Sequence, residues 1–232
     1  MRSLVPKPMM PVAGFPMVRW VLTAVAALGP ARTLVVVPPN ADTLRSEVFP
    51  LETVVQAETD GSAGAVRAVE DACKGFVGDI VILPADAPMI SAAVLRKALA
   101  CRRSARRPAV VVVGTQLEDP AGYGRLIFGD DNNLKAVVEH RECLPSQLGI
   151  NVCNAGPMIF DSTVLWPLLK LITNENSSKE YYLTDIVYFA LNIGLRCAVS
   201  LHTTPLLSAN TPSELALVNS FMDGQSLSAW GA

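Results

Sequence analysis

The sequence predicts an α/β protein: a doubly wound, mostly parallel sheet with a smaller β-rich lobe set into its second half. Three observations predict it. Short β-branched runs alternate with helix-length segments through the first half, the pattern of strands joined by crossover helices. Those runs are near-continuous in apolar residues, as strands buried on both faces are. Beyond about residue 114 the runs shorten and are separated by Gly, Asp and Asn.

Pro16 suits the start of a helix reaching residue 28, where Gly29-Pro30 stops it. TLVVV (33–37) is the first strand. Residues 64–74 set Ala65, Val66, Val69 and Ala72 at helical spacing. IVIL (80–83) is a second strand, ending in Pro84-Ala85-Asp86-Ala87-Pro88. Ser91 caps a helix to about residue 102, and AVVVV (109–113) is a third strand. Residues 125–128, 136–140 and 158–160 read as shorter strands. Helices follow at 162–171 and 183–192, then a strand at 197–202 and a last helix at 212–222. With no internal repeat, low-complexity tract or linker, the 232 residues read as one domain with a complete core.

Composition narrows the function. Half of the residues are hydrophobic, 17% are charged and the net charge is −2, which argues against nucleic acid or an anionic membrane as partner. Bound phosphates would therefore be met by a few local cations, backbone N–H groups and a metal. Cys73, Cys101, Cys143, Cys153 and Cys197 form no C-x-x-C pair, so neither a zinc site nor a disulfide framework is indicated. They read as small buried hydrophobes in a reducing compartment. The apolar stretch 18–28 is too short to span a bilayer and contains Arg19, so a cytoplasmic protein is expected.

Four places could carry chemistry. Asp86 follows a buried strand and precedes a helix, where ligands of open α/β sheets collect, and its carboxylate suits Mg²⁺ beside a phosphate. It could equally cap the turn between Pro84 and Pro88. QAETDGSAG (56–64) can offer backbone N–H groups to a base or phosphate, or serve as a strand-to-helix loop. Gly122-Tyr123-Gly124-Arg125 allows close backbone approach, or forms a hairpin or bulge. EYYLTD (180–185) opens an apolar helix as a polar and aromatic cluster, which is also a capping pattern. No Ser/His/Asp or Cys/His set is present, and His140 and His202 read as structural. Metal-assisted transfer fits the residues better than covalent catalysis.

In this order and at these intervals, the four pieces resemble the bacterial UDP-N-acetylglucosamine pyrophosphorylases, the uridylyltransferase half of a bifunctional enzyme. The resemblance runs from Arg2 to about Leu217, and DPAGYGR (119–125) and EYYLTD are its strongest parts. It implies a Rossmann-like nucleotidyltransferase sheet with a sugar-binding β-rich lobe. It also implies UMP transfer from UTP to N-acetylglucosamine-1-phosphate with Mg²⁺. Lys7, in the family's "PK", would meet nucleotide phosphates, and Lys7 and Asp86 are the catalytic candidates. Gln56 and Gly61-Ser62 resemble the uracil-reading segment. Gly124, Glu139 and Asn154 resemble sugar contacts, and Tyr182 and Thr184 lie around the acetamido and phosphate groups. Asn210 resembles the second metal ligand beside Asp86.

The departures are specific. Family members open with a strand and a glycine-rich loop, roughly "LAAGxGTRM", and Met1 falls at its final methionine. Without that strand the sheet is expected to have a gap or two false edges, and the triphosphate loses a backbone cradle. An internal methionine of a longer gene would explain this, and an in-frame glycine-rich loop upstream of the Met1 codon is then expected. Ser62 replaces a threonine and Gly64 a common histidine. No acetyltransferase domain follows, so no acetyl-CoA chemistry is expected, and a monomer is the default. Two alternatives stand. One is a catalytically impaired sugar-nucleotide-binding protein. The other is a related nucleotidyltransferase with another acceptor, such as a molybdenum-cofactor guanylyltransferase or a cytidylyltransferase.

Overall fold

The computed structural model describes residues 5–231; Met1 and Arg2, on which the alignment of the family's opening motif turns, lie outside them. Pro11–Val12 (β1) and Phe15–Pro16 (β2) form a small antiparallel hairpin. Pro16 then immediately precedes Met17–Ala26 (α1), which buries Met17, Val18, Trp20, Val21 and Ala24. Leu34–Val37 (β3) leads through Asp42–Val48 (α2) to Glu52–Val55 (β4), and β3 and β4 pair in parallel. The strand β4 was not expected, because ETVV has only two apolar residues. The helix expected over 64–74 is regular only as Ser62–Arg67 (α3), then tightens into turns and a 3₁₀ turn at Asp71–Cys73. Val69, Ala72 and Cys73 are only half-buried, so no packed face sustains more helix.

Asp79–Ile82 (β5) precedes Ala92–Arg102 (α4), whose N-terminus is capped by Ser91 Oγ accepting from the Val94 N–H. Val110–Gln116 (β6), Arg125–Phe128 (β7), Leu134–Val138 (β8) and Val152–Asp161 (β9) follow. Ser162–Leu169 (α5), Ile186–Asn192 (α6), Cys197–His202 (β10), Pro212–Met222 (α7) and Leu227–Trp230 (α8) end the chain. Thr211 and Glu214 make the reciprocal capping box that starts α7.

The α/β class is as predicted, and β5, β6, β7 and β10 of the main sheet run in one direction, with β8 and β9 opposed to them. Among the described residues, β3 with β4 and β6 with β10 are the parallel pairs, whereas β5, β6 and β7 all pair antiparallel to β9, as does β7 to β8. Three of these antiparallel pairs run through β9, expected as 158–160 and found as a ten-residue strand. β6 follows one edge of β9 from Val152 to Phe160. The other edge is divided: Cys153 pairs with Arg125 of β7, and Met158 to Asp161 pair with β5. The β-rich lobe is thus an extension of the main sheet through one shared strand.

The expected interruption of the sheet is present. Among the described residues β3 is paired only with β4, and β5 only with β9. Helix α1 lies across both units. Val18 and Leu22 pack with Val35 and Val37, and Ala24 and Val25 pack with Val81 and Leu83. Apolar burial therefore holds the two sheets where hydrogen bonds do not. No helix among the described residues is long and apolar enough to cross a membrane.

Gly156 is where β9 passes from β7 to β5. Its φ is +105°, and a Cβ built there would lie 2.6 Å from the Pro84 ring. Both facts exclude a side chain. Gly156→Ala is expected to destabilise the protein by about 2 kcal/mol or more, read by urea unfolding. An unchanged midpoint would contradict this account of β9.

Candidate active site

Sheet register assembles three of the predicted residues. Arg125 is opposite Val138 on β8 and Cys153 on β9. One step along these antiparallel strands, Gly124, Glu139 and Asn154 fall in a single row. The Asn154 N–H donates to the Gly124 carbonyl at 2.8 Å. A Cβ at Gly124 would sit 3.4 Å from Glu139 Oε2, so glycine leaves the carboxylate its room. Glu139 Oε1 accepts from the Thr184 hydroxyl at 2.8 Å. Burial pushes the Glu139 carboxyl above its usual range, against the lowering effect of that hydrogen bond. Asn154 Oδ1 accepts from the Gly156 N–H at 3.0 Å, which leaves the amide NH₂ to donate.

A second group is defined by charge. The Lys7 ammonium forms an ion pair with Asp86 and donates to Asn210 Oδ1 at 2.5 Å. These residues lie on a 3₁₀ turn, beyond the end of β5, and just before α7. Their side chains are reachable from solvent, with Lys7 and Asp86 32% and 24% exposed. An ammonium held between a carboxylate and an amide oxygen marks a position for positive charge. Hard oxygen donors of this kind suit Mg²⁺. Among the described residues no group of three or more His, Cys, Asp or Glu could hold a metal, so substrate phosphates would have to complete its shell.

Tyr123 joins the row to the charged corner. Its hydroxyl accepts from the Ser208 N–H at 2.9 Å, and the Asn210 amide donates to Ser208 Oγ at 3.1 Å. Burial is the largest effect on the Tyr123 phenol and raises its pKa, keeping it neutral. The sequence offered Tyr123 only as the residue between two glycines, with no sign of a partner 85 positions away.

The 56–62 segment is engaged with EYYLTD. The Tyr181 N–H donates to the Asp60 carbonyl at 2.7 Å, the Ala63 N–H to the Tyr181 carbonyl at 2.9 Å, and the Leu183 N–H to Ser62 Oγ at 2.9 Å. Gly61 has φ +116°, and a Cβ there would collide with the Tyr181 backbone at 2.6 Å. Gly61 and Ser62 thus hold the 181–183 segment in place. Gln56 Nε2 donates to Asp60 Oδ1 at 3.0 Å. The Asp60 carboxylate occupies the space a side chain at Gly64 would need, which accounts for glycine there. Asp60 was missed because its role appears only on folding. Arg67 stacks on the Tyr181 ring at 4.2 Å and donates to the Leu169 and Ile172 carbonyls, tying α3 to the end of α5.

Glu139 and Tyr182 also line a cavity of about 320 Å³ with Glu142, Asn176, Asp185 and Tyr188. Its carboxylates suit hydroxyl groups and disfavour phosphate. The thiols are free, as expected, but only Cys153 is fully buried. Burial pushes Cys153 up to about 11 and Cys197 up to about 12, so neither is a nucleophile near neutral pH. His140 Nδ1 lies 3.4 Å from the Arg125 guanidinium, and His202 lies 3.5 Å from Ser200 Oγ.

Residues 1–151 match the MobA-like NTP transferase domain, and the chain belongs to that family. Along 226 residues it is 42% identical to the bifunctional protein GlmU of Paramagnetospirillum magneticum, covering 97% of this chain and 50% of that protein. The GlmU of Rhodospirillum rubrum is 41% identical over 226 residues, with the same shares covered. That of Hyphomonas neptunium is 36% identical over 221 residues, covering 93% of this chain and 48% of its own. The chain thus spans about half the length of the curated relatives it matches. The resemblance to half of a bifunctional enzyme is borne out at that level.

Asp185 gives a test of the electrostatics. Burial, then repulsion from Glu139 and Glu142, pushes its carboxyl up to about 6. A raised acid favours the folded state below its unfolded pKa and loses that advantage as pH rises through the folded value. Asp185→Asn is therefore expected to be more stable than the parent at pH 8. The gain should be on the order of 1 kcal/mol after screening and the helix N-terminus are allowed for. It should vanish by about pH 4. Thermal melts across that range read it, and a pH-independent difference would contradict the assignment.

Proposed function

We propose that the chain transfers UMP from UTP to N-acetylglucosamine-1-phosphate, giving UDP-N-acetylglucosamine and pyrophosphate. The observation that carries this reading is the tie between a row suited to sugar hydroxyls and a corner suited to phosphate. Tyr123 and Ser208 connect Gly124, Glu139 and Asn154 to Lys7, Asp86 and Asn210. The 36–42% identity to proteins named GlmU supports the same reading. It favours that acceptor over a molybdenum cofactor or an alcohol phosphate.

In the reaction an oxygen of the sugar phosphate attacks the α-phosphorus of UTP, the bond to the β-phosphate bridging oxygen breaks, and pyrophosphate leaves with its electron pair. Such a displacement needs positioning and charge neutralisation more than a protein nucleophile. Lys7 contacts the phosphates. Gln56, Gly61 and Ser62 lie along the uracil, with the exposed part of the Gln56 amide as reader. Glu139 accepts hydroxyl protons of the sugar, Asn154 donates to it, and Gly124 allows close approach. Tyr182 packs against the acetamido group, and Thr184 orients Glu139 beside the sugar phosphate. Asp86 and Asn210 would hold Mg²⁺, or Mn²⁺, which when bound neutralises charge on the phosphates. The protein is taken as a cytoplasmic nucleotidyltransferase unit acting on small molecules.

Incubation with UTP and N-acetylglucosamine-1-phosphate should release pyrophosphate, and ATP, CTP or GTP should not replace UTP. Asp86→Ala is expected to lower kcat about 100-fold or more, and EDTA should abolish turnover. Full turnover in Asp86→Ala, or indifference to the nucleotide, would refute the reading. Binding of the sugar nucleotide with no turnover would instead support the impaired-binder alternative.

A further inference from the structure

Arg125 is among the most deeply buried large side chains, at 1% exposure. Arginine is rarely buried without a carboxylate partner, because an unpaired buried charge is costly. Here no carboxylate is among the partners. Nη1 donates to the Tyr123 carbonyl, Nη2 donates to the Leu148 carbonyl at 3.0 Å, and Nη2 also faces His140 Nδ1 at 3.4 Å. Nε has no partner among the described residues. A methionine of similar length would fill the space without that cost, so hydrophobic packing alone does not account for an arginine.

The partners explain the choice. Tyr123 precedes Gly124, His140 follows Glu139, and Leu148 lies on the segment leading into β9 and Asn154. The guanidinium therefore reaches every chain segment that brings a residue into the row, from the neighbouring rung of β7. A planar fork can hold the two carbonyls in fixed relative directions while facing the His140 ring, which a lysine cannot. From this geometry we infer that Arg125 is a positioning residue for the sugar subsite. It fixes the spacing of Gly124, Glu139 and Asn154 without touching the substrate. This rests on the proposed sugar row.

Arg125 should affect recognition of the sugar and leave recognition of the nucleotide unchanged, because Gln56 and Gly61 lie on other elements. The test is calorimetric titration of the full chain, with Mg²⁺, by UDP and separately by UDP-N-acetylglucosamine. The ratio of the two Kd values reports the sugar contribution. The parent is expected to prefer the sugar nucleotide by about tenfold or more. Arg125→Met should bring the ratio close to one while the Kd for UDP changes less than about twofold. Arg125→Lys, which keeps the charge and one donor direction, should fall between and covers the case in which Arg125→Met does not fold. Leu165→Ala, a cavity in the core at a fully buried site, controls for lost stability and should keep the parental ratio. A parental ratio in the folded Arg125 variants would overturn this assignment alone. A parent that binds the two ligands equally, or neither, would overturn the sugar row and the assignment with it.

Discussion

Ten residues of β9 hold the molecule together through two different edges. One edge is given wholly to β6, and the other is shared, first by β7 and then by β5. Gly156, with φ +105° and the Pro84 ring against it, is the point of exchange. Because β7 and β5 meet the same strand, the lobe that carries Gly124 and Glu139 has a fixed position relative to the strand that leads to Asp86. A single register thus sets the distance between the two halves of the site. Precision of this kind suits a reaction in which two bound phosphates must meet in line.

Electrostatics divides the work between those halves. The chain carries a net charge of −2, and the cavity beside the row is lined by Glu139, Glu142, Glu175 and Asp185. Those carboxylates accept hydroxyl protons readily and repel phosphate, and burial, then repulsion from Glu139 and Glu142, raises Asp185. Positive charge is concentrated instead at Lys7, held by Asp86 and Asn210. On the proposed reading, a sugar phosphate entering between the two finds its ring and its phosphate favoured at opposite ends. The hydrogen bonds from the Ser208 N–H to Tyr123 and from Asn210 to Ser208 Oγ keep those ends in register.

Elements with strong local signals were legible in the sequence. Ser91 announced its helix through a side-chain cap, and the valine runs of β3 and β6 announced buried strands. β9 was under-read because Cys153-Asn154-Ala155-Gly156-Pro157 is poor in strand formers, and pairing on both edges overrides that weakness. It also carries the antiparallel pairs of the main sheet, which the alternation of strand and helix in the sequence does not announce. In the site, motif order identified residues that register then aligns, Gly124 with Glu139 and Asn154. What stayed hidden were bonds across long sequence separations, such as Tyr123 to Ser208 and Tyr181 to Asp60. Arg125 was hidden for another reason: arginine is read as a surface residue by default, and its burial is a product of the fold.

The most direct measurement is a crystal structure of the chain grown with UDP-N-acetylglucosamine and Mn²⁺, with the anomalous signal locating the metal. The account predicts manganese between Asp86 and Asn210, with the Lys7 ammonium moved from between them onto a phosphate oxygen. It predicts the sugar hydroxyls on Glu139, with the Asn154 amide donating to the sugar. Manganese elsewhere, or a sugar ring away from the Gly124 row, would contradict it.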